Sequence, residues 1–451
     1  MCSSDLVNGV NQSGGLFIWR KQPLHPFRES IAWLGGEGSQ LNMLRPGGVG
    51  EYPSKHCLMG VTFSRNPHVV RSPHNKEGTV LLRAVLVFMI CCPLTFADDY
   101  ELQATVQTPD IAFESETDIG LWARFHFAIH TENFDRTREF YRRLGFTQGI
   151  SGFPLTNTHA MARALGMFEE CQYELAKGEV LLFPGADNTT GIDLLQWQSP
   201  FNPEPPYAKP NHLGMAYATL MTTDLIADYE LLKGQGAEFL SAPYGAPGNR
   251  FVFMRDPDGV YLKLEESPIP KRGSRDDTNI VGMPYIGINV SDVDASVAFY
   301  KRFGYTNVRP INEQTLSSEE SAAWGFGEQV RYRGADVTIN RGDRHRLRLL
   351  QWLEPFDPEP AYPPPINHKG INRLALTVPD VERAVAILRA QDVPFLSEVA
   401  PCCSGTDSDT GGIVHAIDPD GVFLELVGDL EPRPVPPQPE SCPPLEIRYP
   451  E

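Results

Sequence analysis

The chain is short of basic residues. It carries 39 Lys and Arg against 57 Asp and Glu in 451 residues, a formal charge of −18. Residues 1–97 hold nine basic and five acidic side chains, so the remainder stands at 30 against 52, or −22. A body this acidic repels phosphate backbones, and no basic stripe offsets it, which argues against nucleic-acid binding. Neither a Walker loop nor a dinucleotide fingerprint is present. Cysteine is sparse, eight residues without a CxxC pair or a zinc-type spacing. Apolar material is not lacking: 41% hydrophobic and 10% aromatic residues are enough to build real cores.

What the chain does contain is a long internal repeat. DLLQWQSPFNPEPPY (193–207) returns as RLLQWLEPFDPEPAY (348–362). FYRRLGF (140–146) is answered by FYKRFGY (299–305), NHLGM (211–215) by NHKGI (367–371), and RDPDGVYLKL (255–264) by IDPDGVFLEL (417–426). The offset drifts only between 155 and 162 residues. A period this long suits a complete globular domain and not a solenoid unit.

The N-terminal hundred residues have no counterpart in the repeat. Residues 1–79 are rich in Gly, Pro, Ser and Asn, without sustained hydrophobic period, and read as unstructured or as a mis-extended start. At 80–97, Arg83 precedes an apolar run from Ala84 to Phe96 that closes on Thr95-Phe96-Ala97. Basic flank, short apolar core and small residues at the end are the layout of a secretory signal peptide. The run falls short of the roughly 20 residues that span a bilayer. Secretion or a periplasmic location is therefore expected, with a buried strand and a cytoplasmic protein as the alternative. Cys171, Cys402, Cys403 and Cys442 would survive cleavage, and either a bridge from Cys402 or Cys403 to Cys442 or free thiols fit the spacing.

Each copy alternates strand, helix and several strands, twice over. ARFHFAIH (123–130) alternates as a strand does. Phe134, Thr137, Tyr141 and Leu144 keep helical spacing, and Gly145 is placed to cap that helix. Val293, Ser296, Tyr300, Phe303 and Gly304 repeat the pattern. Asp224 and Asp380 stand where N-caps would start helices at 225–233 and 381–390. Each later helix leads to a DPDG turn and a last strand.

This order of signals resembles the vicinal oxygen chelate superfamily, which includes glyoxalase I, extradiol dioxygenases, and fosfomycin- and bleomycin-resistance proteins. The resemblance covers about 121–266 and 283–429. It implies an α+β fold of two tandem glyoxalase-like domains, each a pair of βαβββ modules forming a half-open mixed sheet around a pocket. Residues 267–282 would be the linker and 430–451 a Pro-rich tail.

The resemblance further implies that up to four side chains on four strands converge on a divalent metal. Carried over copy by copy, those positions are His126, Asp193, Tyr217 and Lys263, then Tyr285, Arg348, Arg373 and Glu425. Neither set suits a dication, which wants several imidazoles or carboxylates. The expectation is that internal ion pairs have replaced the metals, Lys263 with Asp193 and Arg348 or Arg373 with Glu425. No cofactor is assigned. A divalent metal remains an option for the first domain, from His126 and Asp193 with help from His130 or Glu265.

Other positions carry two readings each. His126 is a base or ligand, or a structural histidine, and His130 shares its strand face. Trp197 and Trp352 stack on a planar ligand or fill the core. Gln196 and Gln351 face the other way. His212 and His368 serve a turn or cover the pocket, and the DPDG turns are structural. Arg373 and Tyr217 bind an anionic or phenolic ligand or plug a vacated site. The functional expectation is a divergent glyoxalase/bleomycin-resistance/dioxygenase-like protein that acts on or binds a small organic ligand. His126, Asp193 and Tyr217 are its candidate catalytic groups, as base or ligand, partner and oxyanion donor. Trp197, Lys263, Tyr285, Arg348, Trp352, Arg373 and Glu425 are the ligand-binding candidates. The alternatives are a metal-free sequestering protein, or a metal-dependent lyase or dioxygenase that uses the first domain alone. A small-molecule partner and a homodimer complete the expectations.

Overall fold

The computed structural model describes residues 6–10, 15–21, 29–35, 111–150, 155, 157–167, 172–184, 190–269, 271, 273, 277–340, 342–357, 366–402 and 408–434. The chain divides into two compact units, Met1–Asp99 and Tyr100–Glu451. In the first, β1 (Leu6–Val10), β2 (Gly15–Lys21) and β3 (Glu29–Gly35) form an antiparallel meander with Trp19 opposite Ile31. The sequence reads 1–79 as unstructured or as a mis-extended start. Runs such as LFIW and IAWL are too short to show a period, yet rich in the aromatic and β-branched residues that suit a pleated ladder. The signal-like segment at 80–97 lies outside the described residues.

The second unit holds four βαβββ modules. The first contains β4 (Ala123–His130), α1 (Phe134–Arg143), β5 (Gln148–Ile150), α2 (His159–Ala164), β6 (Glu174–Leu182) and β7 (Gly191–Ser199). The second contains β8 (Gly214–Thr222), α3 (Leu225–Gly234), β9 (Glu238–Phe239), β10 (Phe251–Arg255) and β11 (Tyr261–Glu266). The second copy supplies β12 (Ile280–Asn289), α4 (Val293–Arg302), β13 (Asn307–Thr315), α5 (Ser318–Ala323), β14 (Arg331–Ile339) and β15 (Gly342–Glu354). It ends with β16 (Gly370–Val378), α6 (Val381–Arg389), β17 (Ala400–Cys402), β18 (Ser408–Ile417) and β19 (Phe423–Pro434). Strand β12 begins inside the expected linker, and β19 runs past the expected boundary at 429 because β18 continues to pair with it. The expected caps are in place: Asp224 accepts from the Ala227 amide and Asp380 from the Arg383 amide.

Two half-open mixed sheets of eight strands result, each a pair of modules as the resemblance implies, although the copy-by-copy reading expects each copy to pair its own two modules. The pairing runs across the copies. One sheet has the order β17-β18-β19-β16-β4-β7-β6-β5, and the other β13-β14-β15-β12-β8-β11-β10-β9. At each centre the first strand of one copy's opening module lies antiparallel to the first strand of the other copy's closing module. One shared core fills the space between the sheets and α1, α3, α4 and α6, while a smaller cluster covers each concave face.

The recurring motifs bond to one another. The Tyr141 hydroxyl, from FYRRLGF, donates to Asp256 of the first DPDG turn at 3.0 Å. Tyr300 does the same to Asp418 of the second at 2.8 Å. Each bond joins a helix packed on one sheet to a turn of the other. Arg124 adds a third tie, reaching the carbonyls of Met283 and Arg346 in the opposite sheet. Between the copies, Asn211 donates to the Pro355 carbonyl and Asn367 to that of Pro200, both at 2.9 Å.

Burial, and then repulsion from Asp258 and Asp420, pushes the Asp256 and Asp418 carboxyls up to about 7. A carboxyl raised in the fold holds a proton there that it gives up on unfolding. Its stabilising contribution is full below its ordinary 3.8 and is lost as pH rises through about 7. The urea midpoint should carry a component that falls across this window and is missing from an Asp256→Asn/Asp418→Asn variant. Tyr141→Phe should cost about 1–2 kcal/mol, read from the same midpoints.

Candidate functional site

The first sheet gathers His126, Asp193, Arg373 and Glu425 on its concave face. Strand pairing explains how. Ala128 stands opposite both Asp193 and Arg373, and Ala375 opposite both His126 and Glu425, so two alanines at the centre leave room for four long side chains to converge. All four are about 95% buried. The Arg373 guanidinium lies between the carboxylates: Nη2 donates to Asp193 Oδ2, and Nε stands 3.0 Å from Glu425 Oε2. His126 Nε2 is 3.8 Å from Glu425 Oε1. His415, on β18 opposite Glu425, places Nε2 3.0 Å from the same carboxylate and Nδ1 2.6 Å from the Ala164 carbonyl.

The charges decide the protonation states. Burial alone would raise Glu425, but Arg373, His415 and His126 outweigh it and hold the carboxyl well below its usual range. Burial lowers His126 against the pull of Asp193 and Glu425. His130 is pushed down to about 3, by burial first and Arg373 second, and its Nδ1 bonds the His368 carbonyl. That bond ties β4 to the segment that leads into β16, which is the structural reading of His130. Trp197 packs between Tyr173 and the His130 edge as part of the lid cluster. The lid is α2 with the residues after it, including Met161, Ala164 and Leu165.

The second sheet repeats the layout with different chemistry. Thr219 and Gly287 stand where the first sheet has its alanines, and Tyr217, Lys263, Tyr285 and Arg348 surround them. A Cβ on Gly287 would sit 2.3 Å from the Tyr217 ring, so glycine lets that ring lie across the strand. Arg348 makes two bonds to Asp336, at 2.8 and 3.0 Å, and a third to the Tyr285 hydroxyl at 3.0 Å. Lys263 Nζ is 3.1 Å from both Glu265 Oε2 and the Tyr285 hydroxyl, and it lies over the rings of Phe251 and Trp324. Tyr285 donates to Glu265, whose carboxyl drops to about 2 because Lys263 and these hydrogen bonds overcome burial. Three cations, Lys263, Arg346 and Arg348, face Asp336 and Glu265, and the Glu320 carboxylate of α5 also acts on Lys263. The Tyr217 hydroxyl is buried without a hydrogen-bond partner among the described residues. Trp352 donates to Asn289 and belongs to the ring cluster around Trp324.

A model of the Glyoxalase/Bleomycin resistance protein/Dioxygenase superfamily matches residues 124–264 and 282–426. The chain belongs to this superfamily. Among solved structures it is similar to glyoxalase I from Zea mays, at 15% identity over 68% of this chain and 92% of that one, with a TM-score of 0.43. A putative dioxygenase from Bacillus subtilis matches at 11% identity over 68% and 86%, with a TM-score of 0.42. An antibiotic binding protein from a Streptomyces species matches at 20% identity over 32% and 95%, with a TM-score of 0.22. No curated protein matches.

The superfamily's chelating pattern, carried over copy by copy, gives one quartet in each copy, and cross-copy pairing regroups them. His126 and Asp193 meet Arg373 and Glu425, whereas Tyr217 and Lys263 meet Tyr285 and Arg348. Tyr217 is therefore in the other sheet from His126 and Asp193, and the three do not form one catalytic group. Of the expected ion pairs, Arg373–Glu425 is present. Lys263 pairs with Glu265 in place of Asp193, and Arg348 with Asp336 in place of Glu425. Glu265 is also in the wrong sheet to assist His126. A divalent ion does not fit either set: a guanidinium already bridges the carboxylates in the first, and the second presents an ammonium, a guanidinium and two phenols. Among the described residues, no group of three or more His, Cys, Asp or Glu side chains is arranged to hold a metal.

Tyr173, His415, Asp336 and Trp324 escaped the sequence reading. His415 and Phe253 hold equivalent places before the two DPDG turns, so a histidine in one copy where the other has phenylalanine was the available signal. Converting Arg373 to Met would leave Asp193 and Glu425 buried without a counter-cation, at a cost of about 3–5 kcal/mol at neutral pH. Denaturant titration should show part of that loss recovered on acidification, since burial then raises Glu425 and protonation favours the folded state.

Proposed function

We propose that this chain is a small-molecule-binding member of its superfamily that works without a metal ion, and that the second pocket receives a small planar anion. The observation that carries this reading is the buried Tyr217 hydroxyl, without a partner among the described residues, beside the cations Lys263 and Arg348. A buried hydroxyl without a partner is costly, and a ligand oxygen is one way to satisfy it. Phe251, Trp324 and Tyr332 supply flat walls against which a ring can lie. Arg348, Arg346 and Glu265 keep part of their side chains in solvent and form the rim. The first sheet serves as the pseudo-symmetric partner, closed by its own charges and by α2.

One observation favours a catalytic reading in the first sheet. His126 Nδ1 is buried without a partner among the described residues, and burial keeps the ring neutral, the form a general base requires. We also propose export to an oxidising compartment, supported by Cys402, which is disulfide-bonded.

Benzoate is the probe for the second pocket. Calorimetry should record one binding event, weakened at least about tenfold in Lys263→Met, where a charge-assisted contact is lost. The purified chain should hold well below one equivalent of any transition metal. Near-stoichiometric, tightly held metal, or benzoate heats that ignore the Lys263 substitution, would overturn the proposal.

A further inference from the structure

A cavity of about 720 Å³ lies between α2, α6 and the segment entering β17, away from both charged quartets. Ala160, Val385, Val399 and Ala400 contribute apolar walls, and the charged lining is Arg163, Arg389, Glu382 and Glu398, with His159 beside them. Arg389 is neutralised, donating to both oxygens of Glu398 at 2.9 and 3.1 Å. Arg163 is half-buried on α2 and has no carboxylate partner among the described residues. A partly desolvated guanidinium beside these apolar walls favours a counter-anion. The volume is that of a site for a small organic molecule.

The other sheet shows what opened this space. Ala400 pairs with Ile413 there as Tyr244 pairs with Phe251 in the second sheet. The Tyr244 ring lies 5.8 Å from that of Phe251, occupying a position that alanine leaves empty. We propose that the cavity is a second ligand site, which takes a monocarboxylate with a short apolar body, the carboxylate on Arg163 and the body against Val385, Val399 and Ala400.

The site lies on the outer side of α2, whose Ala164 carbonyl holds His415 beside Glu425. It stands apart from the benzoate pocket and does not rest on the reading of it. Octanoate and 1-octanol, titrated calorimetrically into the full chain, test the proposal. Octanoate should bind with one equivalent and more tightly than octanol. Arg163→Gln should weaken octanoate about tenfold while sparing octanol, because only a charge-assisted contact is removed. Ala400→Tyr should abolish both by filling the space, and Lys263→Met should alter neither. Absence of octanoate binding, or octanoate heats unchanged by both Arg163→Gln and Ala400→Tyr, would overturn it. So would octanoate binding lost in Lys263→Met, which would return the ligand to the second pocket.

Discussion

The pairing of β4 with β16, and of β8 with β12, is the constraint on which the rest of the fold depends. These antiparallel ladders sit at the centres of the sheets, and each joins strands of different copies. Once they form, every side chain on a concave face acquires its neighbours. The shared motifs then hold the exchange in place. Tyr141 to Asp256 and Tyr300 to Asp418 tie sheet to sheet, while Asn211 to Pro355 and Asn367 to Pro200 tie copy to copy. Four motifs that recur in the chain are thus two kinds of clamp, each made twice.

The two concave faces solve one electrostatic problem differently. Inward-facing charges at the centre of a sheet must be compensated, and here the compensation comes from the chain. In the first sheet a guanidinium between two carboxylates takes a place where a dication would otherwise be needed. The short lid helix and His415 exclude water from that network, which strengthens each interaction within it. In the second sheet Lys263, Arg346 and Arg348 face Asp336, Glu265 and Glu320, and aromatic rings line the space around Lys263. The first arrangement is the costlier to break, since removing one partner there leaves a buried charge without compensation. Copies that share turns and caps have therefore diverged where their chemistry would lie.

Much of this was legible in the chain. The period-two pattern of ARFHFAIH placed His126 and His130 on one face, and the DPDG turns and Asp N-caps announced themselves through local chemistry. The same local rules put Asp193, Arg348, Lys263 and Glu425 on concave faces. Partnership was not legible: Lys263 belongs with Glu265 and Tyr285, and Asp193 with Arg373, 180 positions away. Nor were the lids, because α2 and α5 are too short to show a helical period.

By itself, then, the sequence determined two copies, their modules and the inward-facing residues of each strand, since these follow from spacing along a short stretch of chain. Only the tertiary structure decided which modules share a sheet, and hence which charges meet and which space stays open beside Ala400. The reason is that the two copies offer nearly equivalent strand edges. Choosing between self-pairing and exchange depends on packing summed over the whole body, and no local pattern records that sum.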